Sequence, residues 1–81
     1  TILATFWQNA QQAQREGEES KARAWLEGIV ELDQDNVDAW LALARLIPDA
    51  RERMLCYIHV LELSPGHPEA KAGLRKSRRQ L

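Results

Sequence analysis

Cys56 and His59 stand three residues apart, a spacing that brings two side chains to one face of a helix, where both could reach the same metal ion. His67 is the only other histidine, and there is no second cysteine. The set therefore stops short of four nitrogen and sulfur ligands. Cys56 is flanked by Leu55 and Tyr57, and a lone thiol among apolar residues behaves as a small buried hydrophobe. A nucleophilic cysteine–histidine pair needs an oriented base and donors for an oxyanion, and the residues offer neither. The carboxylates are dispersed in a pattern that suits solvation and i, i+4 pairing. "SPGHP", from Ser64 to Pro68, reads as a helix–helix turn and not as a glycine-rich phosphate loop. The expectation is a chain with no catalytic residue, no metal site and no cofactor.

Composition bounds the remaining classes. The 81 residues are 44% hydrophobic and 28% charged with few aromatics, which suits one small helical domain of marginal core. A single cysteine rules out an internal disulfide and fits a reducing, cytoplasmic setting. No apolar run approaches the roughly 20 residues that span a bilayer, so no membrane partner is expected. The opening "TILATFWQNAQQ" has neither a basic leader nor a cleavage-site pattern. It also lacks an initiator methionine and is already apolar-periodic, as expected of a domain excised from a longer protein. The net charge of −1 hides an asymmetry. Residues 1–38 carry eight acids and three bases, and residues 39–81 four acids and eight bases. Lys71, Arg75, Lys76, Arg78 and Arg79 crowd the last eleven residues without an acid, which reads either as a solvated helix or as a surface for an acidic partner.

The elements that must position these residues emerge when the chain is shifted on itself by 31. "VELDQDNVDA" (Val30–Ala39) then overlies "LELSPGHPEA" (Leu61–Ala70), with Glu31/Glu62, Leu32/Leu63 and Ala39/Ala70 identical. Each copy is a helix end, a polar turn and a helix start. Asn36 is a natural cap for a helix beginning at Val37, and Pro68 suits the first position of the last helix. Two units follow, residues 3–36 and 37–67, with a capping helix over 68–81.

Each unit reads as a helical hairpin. A helix over about residues 2–15 aligns Ile2, Phe6, Ala10 and Ala13, and Gly17 stops it. A second helix, about 19–32, aligns Ala22, Leu26, Ile29 and Leu32. In the second unit, Trp40, Leu43, Ala44 and Ile47 fall at i, i+3, i+4 and i+7. Asp49-Ala50-Arg51-Glu52 resembles a capping box, and the helix after it aligns Met54, Ile58 and Leu61 with Tyr57 and Val60 beside them. The last helix places Ala70, Gly73, Leu74, Ser77 and Leu81 on one narrow side. The fold class predicted is all-α, with five helices and no strand.

Helices pack closely only where a small residue on one receives a large residue from the other. Trp40 beside Ala44, with a following helix ending in "LELSP", is that arrangement, and it resembles a tetratricopeptide repeat. The resemblance covers nearly the whole chain. It uses Trp40, Leu43, Ala44, Tyr57 and Pro65 in unit two, and Phe6, Ala10, Gly17, Ala22 and Leu26 in unit one. Asn9 stands where that family has leucine, Gln34 where it has proline, and Arg53 replaces a small alanine. The turn Ile47-Pro48-Asp49 is three residues short, which is similar to degenerate repeats appended to bacterial multidomain proteins.

The resemblance implies a right-handed superhelical array of two and a half hairpins and a protein–protein interaction role. In that family the first helices of successive hairpins line a groove for a peptide or partner helix. Carried over by position, the groove residues are Trp7, Gln11, Gln14 and Arg15 of unit one, Leu41 and Arg45 of unit two, and Lys76 of the last helix. Arg15, Arg45 and Lys76 would steer acidic partners. Trp7 has a second account, packing on a missing upstream repeat, and so does Leu41, completing the interface with unit one. Trp25 reads as inter-repeat packing. The family's clamp for a C-terminal carboxylate needs lysine, asparagine and arginine where this chain has Trp7, Gln11, Ala42, Glu69 and Gly73, so that clamp is absent. Two other readings stand beside a scaffold that is monomeric or weakly homodimeric. One is nucleic-acid contact through the basic last helix, against which the net charge and the lack of basic–aromatic interleaving count. The other is a structural spacer or dimerisation module. On this reading Trp40→Ala is the most damaging change in the middle of the chain, at about 3–5 kcal/mol.

Overall fold

The computed structural model describes all 81 residues and contains five helices and no strand. They are α1 (Ile2–Arg15), α2 (Glu19–Leu32), α3 (Val37–Leu46), α4 (Ala50–Leu63) and α5 (Pro68–Arg79). Their boundaries follow from local chemistry. Thr1 opens α1 by accepting from the Ala4 amide at 3.2 Å. Gly17, at φ +75°, closes it. Its amide donates to the Gln14 carbonyl and that of Glu18 to the Ala13 carbonyl, at 3.1 and 2.8 Å. Those two bonds satisfy carbonyls that a helix end otherwise leaves open. Asn36 caps α3 with a 3.0 Å bond from the Ala39 amide. Helix α3 ends because Ile47 precedes Pro48, which drives it into an extended conformation. Pro68 occupies the first turn of α5, where its missing N–H costs nothing.

The 31-residue shift is visible in the hydrogen bonds. The amide of Asp33 donates to Ile29 and that of Ser64 to Val60, at 2.8 and 2.7 Å. Asn36 donates to Asp33 and His67 to Ser64, at 3.2 and 3.1 Å. The caps themselves correspond too, since His67 Nδ1 accepts from the Ala70 amide at 3.4 Å where Asn36 serves Ala39. One backbone turn is thus made twice by different side chains.

Substantial contacts run between consecutive helices, α1 with α2 and onward to α5. The Cα atoms span 33 × 25 × 17 Å, and the thin dimension is that of two helix layers with axes about 8–10 Å apart. Small residues permit the approach: Ala10, Ala22, Ala39, Ala44 and Ala70 are fully buried. The Phe6 ring lies over Gly28, where a Cβ would sit 2.9 Å from a ring carbon, and meets Trp25 edge-on at 5.1 Å. Tyr57 lies over Gly73 in the same way.

Several expected faces are displaced. The register that puts Phe6 over Gly28 brings Ile2 and Leu32 to the same open end of the first hairpin, and both are exposed. In α4 the buried residues are Cys56, Tyr57 and Val60, while Ile58 is exposed. The core face is therefore turned away from the expected Met54–Ile58 line. Leu81 lies beyond the end of α5 and is exposed. Trp25 packs within the first hairpin, edge-on against Phe6, and against the core. Trp40 is only half-buried. Its indole N–H donates to the Gln34 carbonyl at 2.9 Å, the same oxygen that His59 Nε2 reaches at 3.0 Å, and the two rings meet at a tilt of 54° with centroids 4.5 Å apart. Trp40 pins the α2–α3 turn to α4, and the largest fully buried side chains are Leu26, Ile29 and Val60. The capping box is not reciprocal: Asp49 accepts from Arg51, and Glu52 turns instead to Arg23 of α2 at 3.4 Å.

Arg53 has the largest unanticipated role. Its counterpart 31 residues earlier is the fully buried Ala22. The short α3–α4 turn has no capping glycine, and the Arg53 guanidinium donates to the Ile47 and Pro48 carbonyls at 3.0 and 2.7 Å. It also donates to Ser77 Oγ at 3.3 Å and to the Gln80 side chain, which ties α5 to the turn.

Two outcomes are expected in urea unfolding. Gly73→Ala should destabilise by about 1–3 kcal/mol through overpacking on Tyr57, against the roughly 1 kcal/mol that helix propensity alone would return. A stabilised variant would show that α4 and α5 do not approach so closely. Arg53→Ala should cost about 1.5–3 kcal/mol, the scale of lost hydrogen bonds to a charged donor. Arg53→Lys should recover only part of it, since one ammonium cannot reach both sides of the fork.

Candidate functional site

Helices α1, α3 and α5 share one face, and a depression of about 360 Å³ lies on it. From α1 come Trp7, Gln11 and Gln14, at i, i+4 and i+7, the spacing of one helical stripe. From α3 come Asp38, Leu41, Ala42 and Arg45, again one stripe, and His67 and Glu69 close the far side at the start of α5. Five of the seven groove residues named from sequence are brought together here: Trp7, Gln11, Gln14, Leu41 and Arg45. Arg15 is exposed elsewhere, donating to the Gln12 side chain at 3.2 Å. Lys76 borders a second depression between α3, α4 and α5, which Arg45 also borders.

The chemistry differs from a cationic groove with apolar anchors. Leu41 is 4% exposed, so it forms floor and core and offers a ligand little surface. Trp7 is half-buried and packs on the core, leaving part of the indole at the rim. The Arg45 guanidinium is held by Glu69 in a forked contact, Nη2 to both carboxylate oxygens at 2.7 Å and Nε at 3.0 Å. It is therefore not a free steering cation. His67 spends Nδ1 on the α5 cap. The charge left without an ion-pair partner is the exposed Asp38 carboxylate, seated in the first turn of α3 where the helix dipole favours an anion.

Asp38, Ala42, His67 and Glu69 are the lining residues that sequence reasoning did not assign to the groove. Asp38 carries a signal, standing one turn before Leu41 and two before Arg45. The Glu69–Arg45 pairing spans 24 positions and has none.

The residues first considered for chemistry have other work. Cys56 is buried in the core, and His59 bridges to Gln34. No three His, Cys, Asp or Glu side chains converge, and no buried side-chain nitrogen or oxygen lacks a partner. No helix is long and apolar enough to cross a membrane. No protein-family model matches the chain, and neither does any curated protein.

Burial pushes the Cys56 thiol above its ordinary value, against a smaller lowering by Arg23. Burial and then the nearby Glu69 carboxylate push the Tyr57 hydroxyl up as well. In both cases the folded state holds the proton more tightly than the unfolded chain. The resulting stability is complete below the unfolded pKa and is lost as pH climbs toward the folded value. For Cys56 the loss begins near pH ~8.5 and for Tyr57 near ~10. Urea-unfolding free energy should therefore fall between those values, and Cys56→Ala should flatten that segment. In the native chain the thiol should react with a soluble thiol reagent far more slowly than in urea. Equal rates would mean that Cys56 is accessible.

Proposed function

We propose that the chain is a non-catalytic interaction module of the tetratricopeptide-like kind, a short right-handed array of helical hairpins that holds an extended peptide or a partner helix against α1, α3 and α5. The observation that carries this reading is the depression spanning those three helices, around which Trp7, Gln11, Gln14, Leu41 and Arg45 gather. Its lining suits recognition of a segment better than chemistry on a substrate. Three helices contribute in register, two glutamine amides offer donors and acceptors for a backbone, and an indole supplies flat apolar area.

Charge sets the kind of segment. With Arg45 tied to Glu69, the open charge is Asp38, so a lysine or arginine on the partner is attracted and an acidic run is not. This reverses the steering expected from the cations alone.

Panning a random dodecapeptide library on the chain tests the reading. Selected peptides should be enriched in basic residues and should shift amides in residues 7–14 and 38–45 on titration. Trp7→Ala should weaken them at least about tenfold, as truncation of an aromatic anchor does, and Asp38→Asn should relax the preference for basic residues. Binders whose shifts fall on α2 and α4, or acidic binders indifferent to Asp38, would remove the proposed groove.

A further inference from the structure

The outward face of α4 carries a pattern that neither the core nor the groove uses. Arg51, Leu55, Ile58 and Glu62 follow one another at steps of four, three and four residues. At 100° per residue they fall within an arc of about 60°, opposite the buried line of Cys56, Tyr57 and Val60. All four are exposed, Leu55 at 67% and Ile58 at 41%. The Arg51 guanidinium makes no hydrogen bond or ion pair within the chain, and its backbone amide alone contacts Asp49. Glu62 has no lysine or arginine partner within the chain, and its nearest basic side chain is the His59 imidazole at 3.8 Å.

The stripe is its own complement when reversed. Arg51 and Glu62 share a midpoint with Leu55 and Ile58. Rotation about a two-fold axis through that midpoint sets Arg51 against Glu62 of a second copy and Leu55 against Ile58, each contact occurring twice. Such self-complementarity is what a two-fold symmetric interface requires. A parallel pairing would oppose arginine to arginine and glutamate to glutamate, so the charges select the antiparallel one.

The helix dipole supplies a second, independent argument. Arg51 is a cation in the first turn of α4 and Glu62 an anion in its last. Each is at the end where its own helix disfavours it. In the antiparallel pair Arg51 lies beside the C-terminus of the neighbouring α4 and Glu62 beside its N-terminus, where both are favoured. We propose that the chain forms a two-fold symmetric homodimer through antiparallel pairing of α4 on its outward face, with Leu55 and Ile58 as the apolar centre and Arg51–Glu62 contacts at each end.

One helix pair of three turns buries less than the roughly 1,200 Å² of a standard interface, so the dimer should be reversible and depend on concentration. It leaves the face of α1, α3 and α5 open.

Sedimentation equilibrium of the 81-residue chain up to about 1 mM, a range that captures weak association, tests the proposal. The wild-type chain should approach dimer mass, and added salt should weaken it. Arg51→Glu and Glu62→Arg should each lower the association constant on the order of tenfold or more, because two exposed pairs become repulsive. Both substitutions place the charge that the α4 dipole prefers, so circular dichroism should show helicity intact and thermal stability of the monomer unchanged or higher. An equimolar mixture of the two variants should dimerise, since every contact between them is again opposite in charge. The double variant Arg51→Glu/Glu62→Arg should self-associate like wild type. A chain that stays monomeric across the range overturns the proposal. So does a dimer insensitive to either charge reversal, or a mixture of the two variants that remains monomeric.

Discussion

The fold rests on how closely consecutive helices can approach. Only Leu26, Ile29 and Val60 are large side chains buried completely, and alanines supply many of the other buried positions. A core of that kind gains little from any single residue. It gains from bringing one helix surface against the next over many small contacts, each worth about 0.1–0.2 kcal/mol at optimal separation. The two glycines under aromatic rings make the point at its limit. Phe6 over Gly28 and Tyr57 over Gly73 use the absence of a Cβ as the cavity that the ring fills. A methyl group at either place would push two helices apart and loosen the contacts along their length.

Closeness also constrains the turns. Between α1 and α2 the chain reverses through Gly17, whose positive φ lets the backbone satisfy its own carbonyls. Between α3 and α4 only Ile47, Pro48 and Asp49 are available, and no residue there adopts positive φ. The carbonyls are satisfied from a distance by the Arg53 guanidinium. An arginine then sits where the preceding hairpin has alanine, and its remaining donors reach Ser77 and Gln80. A shortened turn has become a link between three elements.

The parts of this arrangement that were legible in the sequence are those written in punctuation. Gly17, Asn36, Pro48 and Pro68 act on their immediate neighbours, so the helix boundaries could be read from them. The face that α4 buries could not be read. From Met54 to Leu63 only His59 and Glu62 are not apolar or aromatic, so periodicity favours no direction, and packing against α3 and α5 decides. The place of Trp40 is set by a polar need that its size conceals. Its size suggested the centre of a seam, yet its N–H needs an acceptor, and Gln34 provides one at the edge. In the groove, the resemblance to a repeat family brought Gln11 and Gln14 into view, and helical spacing from Trp40 brought Arg45. Arg15 lies about 100° from Gln14 around the same helix and so leaves the face. Contacts such as Arg45–Glu69 and Arg53–Ser77 join residues 24 positions apart, and nothing local in the chain marks them.

The succession of contacts from α1 to α5 shapes how the chain folds. Each interface closes a loop of only three or four residues, so little chain entropy is spent before packing rewards it, and low contact order favours rapid folding. Helix α3 buries half of its ten residues and packs on both α2 and α4. The ends are unequal. Helix α5 is tethered by Arg45 and Arg53, whereas α1 has its packing on α2 and no side-chain ion pair to another helix. The α5 end thus leans on a charge contact that salt can screen, and the α1 end, which carries Trp7, Gln11 and Gln14, on packing alone.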